Sequence, residues 1–272
     1  MDESLRRRYL EAMGIQHWVE RNGAKSEPVI QQGSPEPIDP NPPDRVEPPP
    51  PVAESVPPWL QDVPPLTEEW GLSEQPPEAD ALEPVDPAYG LDWKALEARV
   101  AVCERCELCK TRTRTVFGVG DRSADLMVIG EAPGMDEDRQ GEPFVGRAGQ
   151  LLNAMLLAIG LQRDQVFIAN VLKCRPPGNR DPRPEEALQC EPFLRRQVAL
   201  VMPKVIMAVG RVAAQNLLKS QEAVGRMRGR DYRFDDIPLV VTYHPAYLLR
   251  SPHHKSRAWQ DLQRVVAMLR NG

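Results

Sequence analysis

Eighteen prolines crowd the stretch from Pro28 to Pro87, where Arg45 is the only basic side chain. Each proline fixes φ and removes an amide donor, so neither a helix nor a sheet ladder runs through such a stretch. It also lacks the apolar residues needed to offset the entropy of ordering, and is expected to be an extended, disordered linker. The charge divides at the same place. Residues 1–90 carry 6 basic and 18 acidic side chains, a net of −12, whereas residues 91–272 carry 28 and 21, a net of +7. The chain's formal charge of −5 conceals that split. Three regions are therefore expected: a short helical segment over 1–27, an acidic linker over 28–90, and one folded domain over 91–272. The last is long enough to bury roughly 70% of its unfolded surface.

No apolar run approaches the roughly 18 residues that span a bilayer. Residues 1–20 contain three arginines but no continuous apolar core and no small-residue cleavage site. That argues against a secretory signal, and a cytoplasmic monomer is the expectation. The five cysteines all lie after residue 100. An odd number without an export signal points to reduced thiols or metal ligation rather than a disulfide framework.

Along the folded part, Asp92 is placed to cap a helix that puts Trp93, Leu96, Val100 and Cys103 on one face. Leu126–Ile129 reads as a buried strand entering the loop Gly130–Gly134. Ala148, Leu151, Leu152, Met155, Leu156 and Ile159 then follow helical spacing up to Gly160. Further strands are expected at Val166–Val171, Val205–Gly210 and Leu239–Thr242, with helices after Arg211 and around Trp259, Leu262, Val266 and Leu269. This alternation predicts a three-layer α/β/α sandwich with a central, mostly parallel four-stranded sheet. Ligands bind such sheets at the carboxyl ends of the strands, where Glu131, Asn170 and His244 stand.

Cys103 and Cys106 form one closely spaced pair, and Cys174 and Cys190 follow singly. Four buried thiols, a zinc site or an iron–sulphur cluster are all compatible with that spacing. Cys109 continues the spacing of the pair and competes for a ligand role.

Six motifs occur in order: Cys103-x-x-Cys106-x-Leu108; Arg112-Thr113; Gly130-Glu131-Ala132-Pro133-Gly134; Gly141-Glu142-Pro143-Phe144-Val145-Gly146; Asn170-Val171-Leu172-Lys173-Cys174-Arg175-Pro176-Pro177; and His244-Pro245-Ala246-Tyr247-Leu248-Leu249-Arg250. Together they resemble the iron–sulphur (family 4) uracil-DNA glycosylases across residues 91–272. The resemblance implies a uracil-DNA glycosylase-like fold and a [4Fe–4S] cluster held by Cys103, Cys106, Cys174 and Cys190, with Cys109 outside the ligand set. It implies a monofunctional hydrolase that flips uracil from single- or double-stranded DNA and cleaves the N-glycosidic bond, leaving an abasic site for base excision repair.

Each implied role matches the chemistry of its residue. Phe144 stacks on the base, with Ala132 beside it. Asn170 offers an acceptor and two donors to N3–H and O4 of uracil. His244 donates to uracil O2 as charge gathers there. Glu131 positions water and steadies the sugar cation, and Glu137 walls off C5 against a thymine methyl. Tyr247, Leu248, Leu249 and Arg250 form an intercalation loop, flanked by His253, His254, Lys255 and Arg257 as phosphate contacts, so DNA binding is expected to be salt-sensitive.

The main alternative is a protein that traps uracil sites in DNA covalently or without catalysis. Relatives of the trapping kind carry a basic, histidine-containing insertion after the Gly-Glu-x-Pro-Gly loop. Here Asp136-Glu137-Asp138-Arg139-Gln140-Gly141 runs to Phe144 without one. Residues 5–20, with Leu5, Tyr9 and Met13 on one side, read as a short docking helix. Arg7-Arg8-Tyr9, Met13-Gly14-Ile15 and Trp18 resemble the psi peptide that binds the chi subunit of the bacterial replicative polymerase, which makes chi the expected partner.

Overall fold

The computed structural model describes residues 88–271 together with Arg7, Glu11 and Gly14. The expected linker and most of the expected docking segment lie outside the described residues. Arg7 and Glu11 are helical, and the Gly14 amide donates to the Glu11 carbonyl at 2.7 Å with φ of 70°.

The first helix of the domain, α1 (Trp93–Ala101), starts where Asp92 accepts a hydrogen bond from the Ala95 amide at 2.8 Å. Leu96 and Val100 are buried, with Phe117 and Phe193, in a small second core. Cys103 falls beyond the helix end, so the expected face closes at Val100. The sheet contains β1 (Val119–Gly120), β2 (Leu126–Gly130), β3 (Phe167–Asn170), β4 (Val205–Val209), β5 (Tyr232–Phe234) and β6 (Ile237–Thr242). Their spatial order is β1-β3-β2-β4-β6-β5. The four central strands are parallel, as expected, and every residue of β2, β3 and β4 is buried. The expected four-stranded sheet is extended to six by β1 and β5, which pair antiparallel at the two edges. Strands of two and three residues are too short to show an alternating pattern.

Between the strands lie α2 (Met135–Gln140), α3 (Arg147–Ala158), α4 (Pro184–Val201), α5 (Arg211–Leu218) and α6 (Val224–Met227). After β6 come α7 (Pro245–Arg250) and α8 (Lys255–Asn271). The crossover from β2 to β3 runs opposite to those from β3 to β4 and from β4 to β6. Right-handed connections therefore put α3 on one face and α4 and α5 on the other. Helix α7 packs against α3, and α8 covers β4 and β6. On α8 it is Ala258, Leu262 and Val265 that are buried, with Val266 half-buried beside them. The strand register aligns Gly130 with Asn170 and Val209 with Thr242. That alignment gathers the carboxyl ends, and the loops leaving them, into one row.

Candidate active site

A cleft of about 830 Å³ opens over that row, lined among others by Glu131, Ala132, Phe144, Asn170, His244 and Arg250. Its floor depends on a missing side chain. A Cβ at Gly130 would stand 2.4 Å from Asn170 Oδ1 and 2.7 Å from the Phe144 ring, so only glycine lets the three approach. Asn170 ends β3, is 2% exposed, and its Oδ1 is buried with no hydrogen-bond partner among the described residues. A buried acceptor left unpaired costs about 1–3 kcal/mol. Sites built for ligands are where such a cost is tolerated.

Phe144 adopts φ of 55°, in the left-handed region that a bulky residue rarely enters. Its ring stacks on His244 with centroids 5.6 Å apart and planes 27° from parallel. The turn that carries it is tied to the neighbouring loop by Glu137. One carboxylate oxygen accepts from the Val145 and Gly146 amides at 3.1 and 3.3 Å, and the other from the Gly134 amide at 3.1 Å. The acidic stretch is thus only partly a solvated surface, with Asp136 exposed and the next two residues turned to other work. Glu137 bridges two loops at the cleft wall, and Asp138 is buried, accepting from the Thr113 amide at 2.8 Å.

His244 caps α7. Its Nδ1 accepts from the Ala246 amide at 3.1 Å, which assigns the ring proton to Nε2. Burial, reinforced by the nearby Arg250 charge, lowers its pKa to about 4, so the ring is neutral at pH 7. Glu131 shows the opposite effect of the same cause. Burial raises its carboxyl to about 7; Asp181 adds to the rise and Arg211 opposes it. Asp181 and Arg211 are themselves paired at 2.5 Å at the edge of the cleft.

The segment expected to be an intercalation loop is the helix α7. Proline at its first position supplies a preset φ and needs no amide donor. Leu248 is 0% exposed and packed in the main core, so it is not available as a wedge, a correction to the expected role. Tyr247 and Leu249 are half-buried and Arg250 is exposed. The Tyr247 hydroxyl and His254 Nδ1 are 2.7 Å apart, and the rings of Tyr243, Tyr247 and His254 lie near-parallel, with centroids 5.0–5.5 Å apart.

Behind the cleft, Cys174 and Cys190 are buried and Cys103 and Cys106 half-buried, all four as free thiols. They lie within each other's electrostatic reach: Cys174 feels Cys103 and Cys106, and Cys190 feels Cys174 and Cys106. Burial pushes the Cys190 thiol up to about 12 and that of Cys174 to about 11. Arg112 joins two of the cysteine segments, donating to the Cys103 carbonyl at 2.6 Å and to Cys174 Sγ at 3.3 Å. Among the described residues no three His, Cys, Asp or Glu side chains close around a single ion.

Two buried residues to which the sequence assigned no role, Lys173 and Gln197, join the turn after β3 to α4. Lys173 Nζ donates to the Asn170 carbonyl at 2.8 Å and to Gln197 Oε1 at 2.6 Å, and Gln197 Nε2 donates to the Phe117 carbonyl at 2.8 Å. Burial lowers the Lys173 ammonium to about 7. Gln197 sits two turns after Cys190 on α4, a spacing that hints at a shared inward face.

The sequence profile of the Uracil DNA glycosylase superfamily matches residues 117–263. The type-4 uracil-DNA glycosylase of Archaeoglobus fulgidus is 44% identical over 171 residues, covering 60% of this chain and 86% of that protein. The type-4 uracil-DNA glycosylase of Sulfurisphaera tokodaii is 40% identical, with 62% and 81% covered. That of Thermotoga maritima is 37% identical, with 63% and 92% covered.

Proposed function

The chain belongs to the Uracil DNA glycosylase superfamily, and we propose that its cleft hydrolyses the bond between uracil and deoxyribose in DNA. It is a DNA-repair glycosylase, a hydrolase of N-glycosyl bonds. The observation that carries the site assignment is the buried Oδ1 of the cleft-lining Asn170, unpaired among the described residues and close to Gly130 and the Phe144 ring.

In this reading uracil leaves the base stack of single- or double-stranded DNA and lies on Phe144. Its N3–H donates to Asn170 Oδ1, and the Asn170 amide donates to O4. Cytosine presents the reverse pattern at those atoms and leaves the amide unpaired, which rejects it strongly. As the bond breaks, negative charge spreads onto the base and positive charge onto the sugar. A neutral His244 that donates through Nε2 meets the charge at O2 without first losing a proton, and such a preorganised donor is worth roughly 3–4 kcal/mol of barrier. Glu131, ionised, steadies the sugar cation and orients the attacking water. A carboxyl with its pKa near 7 also takes up the proton that water releases. Ala132 flanks the base, and Glu137 keeps the wall near C5 in place by holding two loops together. Tyr247, Leu249 and Arg250 face the DNA strand.

Cys103, Cys106, Cys174 and Cys190 would hold a [4Fe–4S] cluster. Four free thiols linked to one another through electrostatic reach, with an arginine against one sulphur, suit an anionic cluster. Bound there, it supplies a cross-link between the segment after α1, the turn after β3 and helix α4.

The test is incubation of the full chain with a uracil-containing oligonucleotide, followed by alkali. Strand cleavage at the uracil position supports the reading. A shift that survives denaturing electrophoresis, without cleavage, would replace it with covalent trapping. Iron-loaded protein that absorbs near ~400 nm supports the cluster, and a colourless zinc-loaded preparation would overturn it.

A further inference from the structure

We propose that Arg163 is a positioning residue for catalysis: its guanidinium holds the Glu142–Phe144 turn in the one backbone shape that lays the Phe144 ring across the uracil site. The inference rests on Phe144 being the stacking surface.

Arg163 opens the single helical turn Arg163–Gln165 that leads into β3. It does not line the cleft. Instead its Nη1 donates to the Phe144 carbonyl and to Asn153 Oδ1, each at 3.4 Å. Its Nη2 donates to the Pro143 carbonyl at 2.5 Å and pairs with Glu142 Oε1 at 3.2 Å. One planar fork therefore collects the carboxylate of Glu142 and the carbonyls of both residues that follow it. The rigid geometry of guanidinium permits this, whereas the single nitrogen of a lysine cannot span the four acceptors.

The turn needs such a clamp because its backbone is not in a shape the chain would choose. At φ of 55°, Phe144 occupies a region where its own Cβ crowds the backbone. Such a conformation persists only when the surroundings over-determine it. Three features do so here. Arg163 holds the carbonyls and Glu137 holds the amides of the next two residues. Gly149 provides the third, because any Cβ there would lie 1.7 Å from the Phe144 carbonyl oxygen. Release of the carbonyl side lets the turn relax towards negative φ, which swings the ring away from His244 and out of the base plane. The effect reaches the substrate only through Phe144.

A double-mutant cycle separates this role from general support of the fold. Full-length wild type, F144A, R163A, R163K and the two R163 variants combined with F144A are compared on a single-stranded uracil oligonucleotide. Both kcat and KM, inhibition by free uracil and the melting temperature are measured for each. Expected are a loss of tenfold or more in kcat/KM for R163A and R163K, carried mainly by KM, with weaker inhibition by free uracil. In the F144A background the same Arg163 changes have little further effect, and millimolar guanidinium restores part of the activity of R163A but none of F144A. If R163A does not fold, R163K with F144A completes the cycle. Independent, multiplying losses from F144A and the Arg163 variants overturn the inference, as does an impaired F144A beside unimpaired Arg163 variants. An F144A variant as active as wild type overturns the stacking reading itself, and the role of Arg163 with it.

Discussion

At one end of the turn that follows β3, Asn170 Oδ1 is buried without a hydrogen-bond partner among the described residues. Three residues on, the ammonium of Lys173 is buried with two partners. Burial is nearly complete at both, so desolvation alone does not distinguish them. What differs is which side of the turn each polar group faces. Lys173 faces α4, where Gln197 completes its hydrogen bonds and passes the chain on to Phe117. Asn170 lines the cleft, where in the proposed reading uracil meets the acceptor. The same contrast extends outward. On the cleft side the Glu131 carboxylate and His244 Nε2 have no hydrogen-bond partner among the described residues, although His244 Nδ1 caps α7, while on the cysteine side Arg112 ties the segments together. A polar group whose hydrogen bonds are all satisfied by the protein serves stability. One left waiting serves recognition.

Substitution at each position tests the contrast. Asn170→Ala should lower kcat/KM for uracil DNA roughly a thousandfold, or about 4 kcal/mol at 1.4 kcal/mol per tenfold. Its melting temperature should hold or rise, because the unpaired acceptor is gone. A large fall in stability would place Asn170 with Lys173. Lys173→Met should do the reverse. Two buried acceptors lose their donor, which costs about 2–3 kcal/mol of folding stability, read from the urea midpoint. Activity per folded molecule should fall by less than tenfold.

Glu131 sharpens the comparison through pH. Wild-type kcat/KM should climb as Glu131 ionises through about pH 7 and flatten above it. His244, with its pKa near 4, adds no second inflection above pH 5. The pH profile of Glu131→Gln should be low and flat across that window. The sign for stability runs the other way. Because the folded state raises this carboxyl above its unfolded value, its contribution is fully present below about pH 4.5 and is lost as pH rises through about 7. Glu131→Gln should therefore gain stability relative to wild type between pH 5 and 8, as measured by thermal melts; no relative gain would mean the carboxyl is not raised. The smallest effect is expected at Arg250→Ala. DNA affinity should weaken a few-fold, and the slope of log K against log salt should become shallower by about one, the loss of a single phosphate contact.

The four central strands were legible because each is a short apolar run ending at a turn residue, and the register that follows from parallel pairing brought Glu131, Asn170 and His244 together. The helix α7 was not. Pro245 reads as a loop marker until it is seen as the first residue of a helix capped by His244. That misreading placed Leu248 at the DNA, whereas helical geometry turns it into the core. The role of Glu137 was hidden for another reason. Two of its amide donors lie eight and nine residues away across a turn, beyond any local pattern. Arg163 and Lys173 were missed because half or more of their acceptors are backbone carbonyls, which carry no residue identity for a sequence to display, and their side-chain partners lie 10 to 24 residues away.

The two edge strands carry a consequence beyond the site. β1 has two residues and β5 three, each already paired on its inner side. A neighbouring molecule that tried to continue the sheet would find only a few free backbone groups on either flank. Copies brought close together therefore have little opportunity to zip through their sheets.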